Sequence, residues 1–344
     1  MFYIHHTACI SPQQSFLQVD LERLRESVNN QLRVIEPDYN GIPPGLLRRM
    51  GKAVKIGVGA ALSVLQEQTA PDGIIIGTAN GGMEDCIKFL NQIIEYDEGI
   101  LAPGNFVQST TNAIASQLGL LTRNKSYNVT HVHRGLAFEN AMTDAAMMIA
   151  ENPSMNFLVG AVDEISTYNY NIDYLDGWYK KQPTSNVDLY ETQTEGSLAG
   201  EGAAMFLVNA NPESALARVK AVYCLHTEDE RVVAAGLRQF IATHSPGQPI
   251  DWLVSGENGD RRLNRYYEAC EKVLDEDTGI CRFKHMSGEF PTASAMALWI
   301  ACYMLREETI PRHMIKRASG HTKVRNVLIY NNFKSLQHSF MLVT

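Results

Sequence analysis

The chain has 344 residues, of which 45% are hydrophobic and 20% are charged, and its formal net charge is −8. This composition predicts a globular protein with enough apolar residues for a large core, and the acidic balance argues against nucleic acid and anionic membranes as general partners. The six cysteines lack the spacing of zinc ligands or of a disulfide framework. We therefore expect neither a metal nor a cofactor. Because the N-terminus does not resemble a signal peptide and no apolar run is long enough to span a membrane, we expect a cytoplasmic protein.

Short apolar segments alternate with longer, helix-like segments along the chain. Strands are predicted within residues 72–81, 155–166, 200–209, 214–226, 249–259 and 324–333. The predicted helices are, in chain order, LLRRMGKAVKIGVGAALSVLQEQ, MEDCIKFLNQIIEYDEG, NAIASQLGLL, AFENAMTDAAMMIAEN, DERVVAAGLRQFIATH, NRYYEACEKVLDE and TASAMALWIACYMLREE. This alternation predicts an α/β protein with largely parallel strands covered by helices. A coarse duplication with its seam near Pro212 is compatible with the pattern.

Residues 168–196 depart from this pattern. The segment is long, weakly periodic and rich in Tyr, Asn and Asp. Long irregular segments in compact domains are mostly functional. We therefore predict a functional or interface loop here, with a solvated insertion of no particular role as the alternative.

The segment SYNVTHVHRGLAFENAMTDAAMMIA, residues 126–150, predicts a strand, a sharp turn and a helix of small residues. Such an elbow is where many α/β enzymes carry a nucleophile. The tip of this elbow reads Thr-His-Val-His-Arg-Gly and contains neither Ser nor Cys. The sequence thus predicts the geometry of a nucleophile elbow without the nucleophile.

Four segments together resemble the β-ketoacyl synthase branch of the thiolase-like fold, in the order of that family. They are APGNFVQSTTNAIASQLGLL (residues 102–121), the elbow followed by FLVGAVDEIS, GSLAGEGAAMFLVN (residues 196–209), and KHMSGEFPTASAMALWIACYMLREETIP (residues 284–311). The resemblance implies two pseudo-duplicated βαβαβαββ halves that form a layered α-β-α-β-α core. It places the halves at residues 1–211 and 212–344, packed as one compact unit.

In the family, a Cys at the elbow takes the acyl chain as a thioester. The family elbow reads Thr-Ala-Cys-x-x-Gly, and here Thr130 and Gly135 keep that frame. The resemblance therefore implies that Val132 occupies the Cys position. A β-branched alkyl side chain cannot form a thioester.

Two family histidines assist condensation by stabilising the enolate and the oxyanion. The resemblance implies that Gly256 stands at the first position, with Ser255 there if the register shifts by one residue. Glu289 stands at the second position, where Lys284 and Gly288 preserve the family spacing. All three catalytic positions are therefore expected to be substituted.

Several polar residues near these positions allow more than one interpretation. His131 and His133 flank the elbow tip, and we favour a structural or interface role for them over a catalytic or metal-binding role. We expect Arg134 to pair with an acid, such as Glu139 or an acidic group of a partner. Glu289 is expected to cap its loop or to pair with Lys284, with a buried acid of raised pKa as the alternative. His285 lies near the second histidine position but out of register.

Three further residues are candidates for an acyl channel or a subunit interface. The resemblance implies that Phe106 and Gln108 lie at the channel mouth or at the interface. Met142 belongs to the small-residue helix, which predicts tight packing on a sheet. The alternative is that this helix lines a channel, because Met adapts to flexible alkyl chains.

The function implied by the resemblance is that of a non-catalytic ketosynthase-like subunit, similar to the chain-length factors of type II polyketide and aryl-polyene pathways. Such a subunit pairs with an active ketosynthase as a heterodimer, shapes the acyl tunnel during fatty-acid, polyketide or polyene synthesis, and works with an acyl-carrier protein. One alternative is a divergent acyl-transfer, decarboxylating or hydrolytic enzyme that uses Glu289, His131 or His133. Another is a scaffold that binds the carrier protein through basic segments at residues 46–55, 261–265 and 310–317.

Overall fold

An eleven-stranded mixed sheet organises the chain. The computed structural model describes residues 1–66, 70–99, 101 and 103–344. Ala102, which begins one of the segments that resemble the family, and residues 67–68, which end the first predicted helix, lie outside the described residues.

The strands are β1 (Phe2–Ile10), β2 (Gln31–Leu32), β3 (Gly73–Gly77), β4 (Tyr127–His131), β5 (Phe157–Asp163), β6 (Ala199–Gly200), β7 (Gly202–Asn209), β8 (Ala217–His226), β9 (Trp252–Ser255), β10 (Gly279–Arg282), β11 (Ile315–Arg317), β12 (Val327–Phe333) and β13 (Gln337–Val343). The helices are α1 (Pro44–Leu47), α2 (Lys52–Leu65), α3 (Met83–Glu95), α4 (Pro103–Gln108), α5 (Ala113–Thr122), α6 (Ala137–Glu151), α7 (Thr167–Leu175), α8 (Glu230–His244), α9 (Asn264–Glu271), α10 (Lys284–Ser287) and α11 (Ser294–Glu307). Short 3₁₀ turns cover Arg134–Leu136, Arg261–Leu263 and Arg312–Met314.

Ten of the eleven strands of the sheet form two groups of five with the same internal order, and β11 pairs with the outer edge of β10. The order across the sheet is β11-β10-β9-β12-β13-β8-β1-β7-β5-β3-β4, and β2 pairs with β6 separately. Numbered within its own half, each group runs 3-2-4-5-1, and the fifth strand is antiparallel to its neighbours. Each half also follows the order βαβαβαββ. The pseudo-duplicated α/β architecture expected from the sequence is therefore confirmed.

The expectation of a largely parallel sheet was wrong. Parallel pairing joins β3 to β4 and β5, and β9 to β10 and β12. Antiparallel pairing joins the remaining neighbours, because the last strand of each half returns beside the fourth and first strands. The halves themselves meet through antiparallel pairing of β1 with β8.

Helices cover both sides of each half-sheet. The pair α6 and α11 forms the central layer, because α6 contacts β3, β5 and β8 while α11 contacts β1, β7 and β12. On the outer sides, α2 and α5 pack on the first half and α8 and α9 on the second. Every residue of β3, β5 and β12 is buried, as expected for strands covered on both faces.

Two predicted elements differ from the structure. The long helix predicted before β3 is divided into α1 and α2, because the backbone at Gly51 is extended. The predicted loop at residues 168–196 begins inside helix α7, where Ser166 Oγ accepts a hydrogen bond from Asn169 N at 3.1 Å and caps the helix. Strands β1, β10, β11 and β13 were not predicted as strands.

In the described part of the chain, no helix combines the length and apolar character that a membrane crossing requires. The connection between β7 and β8 contains Pro212. We propose that the boundary between residues 1–211 and 212–344 lies in this connection.

Two glycines bring the loop after α10 against β6. Gly288 has φ +70°, and a Cβ there would lie 2.5 Å from Gly200 Cα and 2.6 Å from Ala199 O. The approach is fixed by hydrogen bonds from Gly200 N to Glu289 O (2.9 Å) and from Glu289 N to Leu198 O (2.7 Å). This loop carries Glu289, so the close approach sets the position of that side chain.

We expect Gly288→Ala to lower the free energy of unfolding by at least about 2 kcal/mol, since the methyl group meets backbone atoms and the left-handed conformation is strained. Chemical denaturation measures this change. Gly45→Ala is the matched control, because a Cβ at Gly45 meets nothing within 4 Å. A loss of stability at Gly288 no larger than at Gly45 would contradict the close approach.

Candidate functional site

The elbow lies in the first half of the chain and packs against the second half. Strand β4 ends at His131, a 3₁₀ turn begins at Arg134, and α6 follows. A Cβ at Gly135 would lie 2.5 Å from Phe333 Cγ, and Gly135 N donates a hydrogen bond to Gln337 Oε1 at 2.9 Å. Glycine is therefore required where the elbow meets the β12–β13 hairpin.

Arg134 lies at the tip of the turn. Its φ of +48° places its backbone in the left-handed region, which is uncommon for residues other than glycine. The side chain lines a cleft of about 220 Å³ together with Phe333 and Lys334. The other walls of the cleft are formed by Ala79, Asn80, Met83, Asn169, Ile172, Asp173 and Pro291.

Asp163, at the end of β5, holds two walls of this cleft. Its Oδ1 accepts hydrogen bonds from Ala79 N at 3.0 Å and Asn80 N at 2.9 Å, and its Oδ2 accepts one from Thr292 Oγ1 at 2.8 Å. Burial raises the pKa of this carboxyl, and these hydrogen bonds act in the opposite direction. Asp163 thus fixes the loop after β3 relative to the segment that contains Pro291.

Of the residues predicted on the elbow, Arg134 lines the cleft, whereas Val132 and the two histidines do not. Val132 is 49% exposed and is not one of the residues that line the cleft. His131 Nε2 lies 2.8 Å from Asp144 Oδ2, and His133 Nδ1 lies 2.9 Å from Asn140 Nδ2. Both histidines are thus held by local side chains.

Arg134 does not pair with Glu139, contrary to the expectation. Glu139 is fully buried, and its Oε1 accepts a hydrogen bond from Ser339 Oγ at 2.7 Å. The carboxylate points into the core while Arg134 lines the cleft. No carboxylate among the described residues forms an ion pair with Arg134.

Glu289 and Lys284 form the ion pair that the sequence predicted. Lys284 Nζ lies 2.8 Å from Glu289 Oε1 and 2.7 Å from Oε2, and Asn258 Nδ2 donates to Oε2 at 2.6 Å. Burial raises the pKa of the Glu289 carboxyl, while the ammonium and the amide act in the opposite direction. The hydrogen-bonding capacity of this carboxylate is already engaged by protein groups.

Gly256 leaves no room for a larger side chain. Its N–H donates to Tyr330 O at 2.8 Å, and a Cβ would lie 2.6 Å from Asn331 Oδ1. Ser255, which a register shift would place at the same family position, accepts a hydrogen bond from Glu257 N at 3.3 Å through its Oγ. Neither residue provides a base.

His285 belongs to a buried chain of hydrogen bonds. Its Nδ1 lies 3.2 Å from Tyr190 OH, and its Nε2 lies 2.8 Å from His313 Nδ1. His313 Nε2 lies 2.7 Å from Leu21 O. Burial lowers the pKa of His285 to about 3, so this imidazole is neutral at physiological pH and faces away from the cleft.

The three residues considered for a channel or interface lie in different environments. Met142 is fully buried in the central core. Phe106 is 57% exposed and packs on Phe89 with a centroid distance of 5.3 Å. Gln108 is buried at the end of α4. None of the three lines the cleft at Arg134.

Sequence reasoning missed Lys334, Asp173 and Asn169, which all line the cleft. Lys334 and Asp173 form an ion pair although they are 161 residues apart, so no local pattern indicates it. The Lys334 ammonium also lies 5.3 Å from the centroid of the Trp178 ring. Asp163 did leave a signal, because a carboxylate directly ends a buried apolar strand.

An acidic cluster lies near the start of α2. Glu201 is buried and pairs with Lys52 at 2.5 Å. Glu164 is 9% exposed, and burial, with the nearby charges of Asp85 and Glu201, raises its pKa from 4.5 to about 7. In the part of the chain that the structure describes, no three His, Cys, Asp or Glu side chains are arranged to hold a metal ion.

Removing one partner of the buried ion pair tests its structural role. We expect Lys284→Met to lower the free energy of unfolding at pH 7.5 by about 3–5 kcal/mol, because it leaves the Glu289 carboxylate buried without its cation. Lys284→Met/Glu289→Gln should recover most of this loss, since the amide oxygen still accepts from Asn258. Denaturant titration measures both, and exposed Lys125→Met is the control. A single variant as stable as the control would contradict the role of this pair.

Glu164 should make stability depend on pH. Because its folded-state pKa is raised, the folded state favours the protonated carboxyl, and the stabilising contribution is lost as pH rises from 4.5 through about 7. The advantage of Glu164→Gln over the wild type should therefore grow by about 3 kcal/mol between pH 4.5 and 8. Exposed Glu213→Gln reports the effect of removing a surface charge. If the free energies of unfolding of Glu164→Gln and the wild type changed with pH in parallel, the raised pKa of Glu164 would be ruled out.

The chain is similar to known ketosynthases in fold. A beta-ketoacyl synthase from Burkholderia phymatum STM815 has 14% sequence identity and a TM-score of 0.77, over 99% of this chain and 98% of that one. The ishigamide ketosynthase/chain length factor has 16% identity and a TM-score of 0.75, over 99% and 98%. A chain from the structure of a type II acyl-carrier protein in complex with its ketosynthase bound to the hexaketide has 15% identity and a TM-score of 0.73. The similarity covers 100% of this chain and 99% of that one.

These similarities show the thiolase-like fold with its two pseudo-duplicated halves. No curated protein matches the chain in sequence. A family model described as beta-ketoacyl synthase, N-terminal domain, matches residues 24–201, just over half of the chain. The chain therefore belongs to the β-ketoacyl synthase family.

Proposed function

We propose that this chain is a ketosynthase-like subunit without condensing activity of its own, which pairs with a catalytically active ketosynthase and shapes the acyl or polyketide tunnel at their interface. The observation that carries this proposal is the tip of the elbow, residues 130–135, which contains neither Cys nor Ser and has Val132 at the position expected for the Cys. Condensation by this family begins with an acyl thioester on a cysteine. A chain without that group depends on a partner for the chemistry.

The remaining cysteines do not replace the missing nucleophile. None of the six, all of which the structure describes, lines the cleft at Arg134. Burial raises the pKa of Cys9, Cys281 and Cys302 to about 12 each. Since the thiolate is the reactive form, these three side chains are unreactive at physiological pH.

The proposed positions of the two histidines support the same conclusion. Gly256 has no ionisable group, and the Glu289 carboxylate accepts hydrogen bonds from Lys284 and Asn258. A carboxylate held in this way neither donates a proton to an enolate oxygen nor stabilises an oxyanion. The residues at all three positions, Val132, Gly256 and Glu289, therefore agree with a chain that has no condensing activity of its own.

The edge of the sheet provides a surface for the partner. Strand β4 pairs with β3 alone, so the N–H and C=O groups along its other edge have no strand partner among the described residues. The elements beside β4 carry exposed apolar side chains, namely Leu120 on α5 (75% exposed), Met147 on α6 (62%) and Val132. Unpaired edges flanked by apolar side chains are suited to pairing with another chain.

Complexes of similar proteins give a precedent for such pairing. The ishigamide structure joins a ketosynthase with a chain length factor, and another similar structure joins a ketosynthase with an acyl-carrier protein. We propose that this chain forms a heterodimer with a ketosynthase and that an acyl-carrier protein binds to this heterodimer. The growing chain would be a fatty-acid, polyketide or polyene intermediate.

Coexpression tests the pairing. With a ketosynthase that carries the Cys and both His and is encoded nearby, we expect a 1:1 heterodimer on size-exclusion chromatography with light scattering. Leu120→Asp/Met147→Asp should weaken the heterodimer at least about 10-fold, because charge is placed in an apolar contact. Val232→Asp is the matched control, as Val232 is 45% exposed on α8 in the other half.

Two results would refute the proposal. The first is an exclusively homodimeric chain in the presence of each such ketosynthase. The second is condensation of acyl and malonyl carrier substrates by this chain alone, at a rate that survives replacement of each of its cysteines by Ser.

A further inference from the structure

We propose that the cleft at Arg134 is a binding site for a small oxyanion, a carboxylate or a phosphate. The cleft is built by this chain alone, from the loop after β3, the start of α3, the elbow, α7, the segment at Pro291 and the β12–β13 hairpin. The inference therefore does not depend on the proposed pairing with a ketosynthase. It assigns a ligand to the cleft that lies at the elbow.

Two hydrogen-bond donors in the cleft have no partner within the described part of the chain. The Arg134 side chain is exposed, and its guanidinium forms no ion pair and no hydrogen bond there, whereas the Asn169 Nδ2 atom is buried without an acceptor. Buried donors without an acceptor are uncommon in folded proteins, and each such case calls for an unseen partner. An oxyanion in the cleft would give Asn169 Nδ2 its acceptor and would neutralise the unpaired charge of Arg134.

The charge of the cleft favours an anion. Its one carboxylate, Asp173, is paired with Lys334, and these two charges cancel. Arg134 then leaves the cleft with a net positive charge. Helix α6 starts three residues after Arg134 and has 15 residues, so the positive end of its dipole adds to the same potential.

The backbone at Arg134, which lines the cleft, is constrained. A left-handed conformation is unfavourable for arginine and persists where the surroundings impose it. Here Gly135 is fixed against Phe333 immediately after the turn. The guanidinium on this constrained backbone can bind carboxylate or phosphate oxygens in bidentate geometry.

The size of the cleft limits the ligand. Its volume of about 220 Å³ lies below the roughly 300–1,000 Å³ of sites that hold drug-sized ligands. Met83 and Ile172 give the cleft an apolar wall and are 38% and 64% exposed. The site therefore fits inorganic phosphate or a short organic acid, and it does not enclose a long acyl chain.

Calorimetric titration of the purified full chain with inorganic phosphate and with succinate tests this inference. The titrations are made at pH 8.5, where both probes are dianions, so the comparison separates phosphate from carboxylate recognition at matched charge. We expect saturable binding of at least one probe with a millimolar or lower Kd at constant ionic strength. Arg134→Gln should weaken it at least about 10-fold, because a charge-assisted hydrogen bond is lost.

Arg123→Gln is the matched control. Arg123 also has a left-handed backbone, with φ +54°, but lies at the end of α5 and does not line the cleft. The control makes the same change of charge and should leave binding unchanged.

Asn169→Asp is a second variant, in which an acceptor replaces the buried donor at the same size, and it should also weaken binding at least about 10-fold. Circular dichroism and thermal unfolding verify that the variants are folded. The inference is wrong if the wild type binds neither probe at concentrations up to about 20 mM, which is 20-fold above a millimolar Kd. It is also wrong if Arg123→Gln weakens binding as much as Arg134→Gln.

Discussion

The contact between the elbow and the β12–β13 hairpin requires a glycine at position 135, because there is no space for a side chain. Any Cβ at Gly135 would meet Phe333, and the amide of Gly135 is held by Gln337. The elbow belongs to the first half of the chain and the hairpin to the second. The cleft at Arg134 therefore forms only when the two halves have assembled, and its walls are as fixed as the core beneath them.

A buried polar cluster stands where the resemblance places the catalytic histidines. Lys284, Glu289 and Asn258 satisfy one another, and the backbone around them approaches β6 too closely for any residue but glycine at position 288. A general base requires a lone pair or proton that is free to reach a substrate. In this cluster the Glu289 carboxylate is engaged in hydrogen bonds with Lys284 and Asn258, which hold the loop in position.

Local patterns predicted much of this fold. The buried strands β3, β5, β7 and β12 were found because apolar runs bounded by small residues are distinctive. Strand β13 was missed because its His338 and Ser339 interrupt the apolar pattern, although both are buried. Helix α7 was missed because Tyr and Asn are weak helix formers, while its cap at Ser166 is a contact that composition does not reveal.

The candidate site was predicted less completely than the fold. The pair of Lys284 and Glu289 was expected because the resemblance to the family drew attention to both residues, which are only five positions apart. The pair of Lys334 and Asp173 joins distant segments and follows from tertiary folding. The expected pair of Arg134 and Glu139 failed because the first turn of α6 points Glu139 into the core, a direction that depends on where the helix begins.

The position of β4 at the end of the sheet has a consequence for selectivity. Hydrogen bonds along a strand edge are made by the backbone, which is the same in every chain, so they cannot distinguish an active ketosynthase from a second copy of this protein. Two copies would present identical edges to each other. In the proposed heterodimer, discrimination between self and partner therefore depends on side chains around that edge, such as Leu120, Val132 and Met147, and changes there would alter the choice of partner.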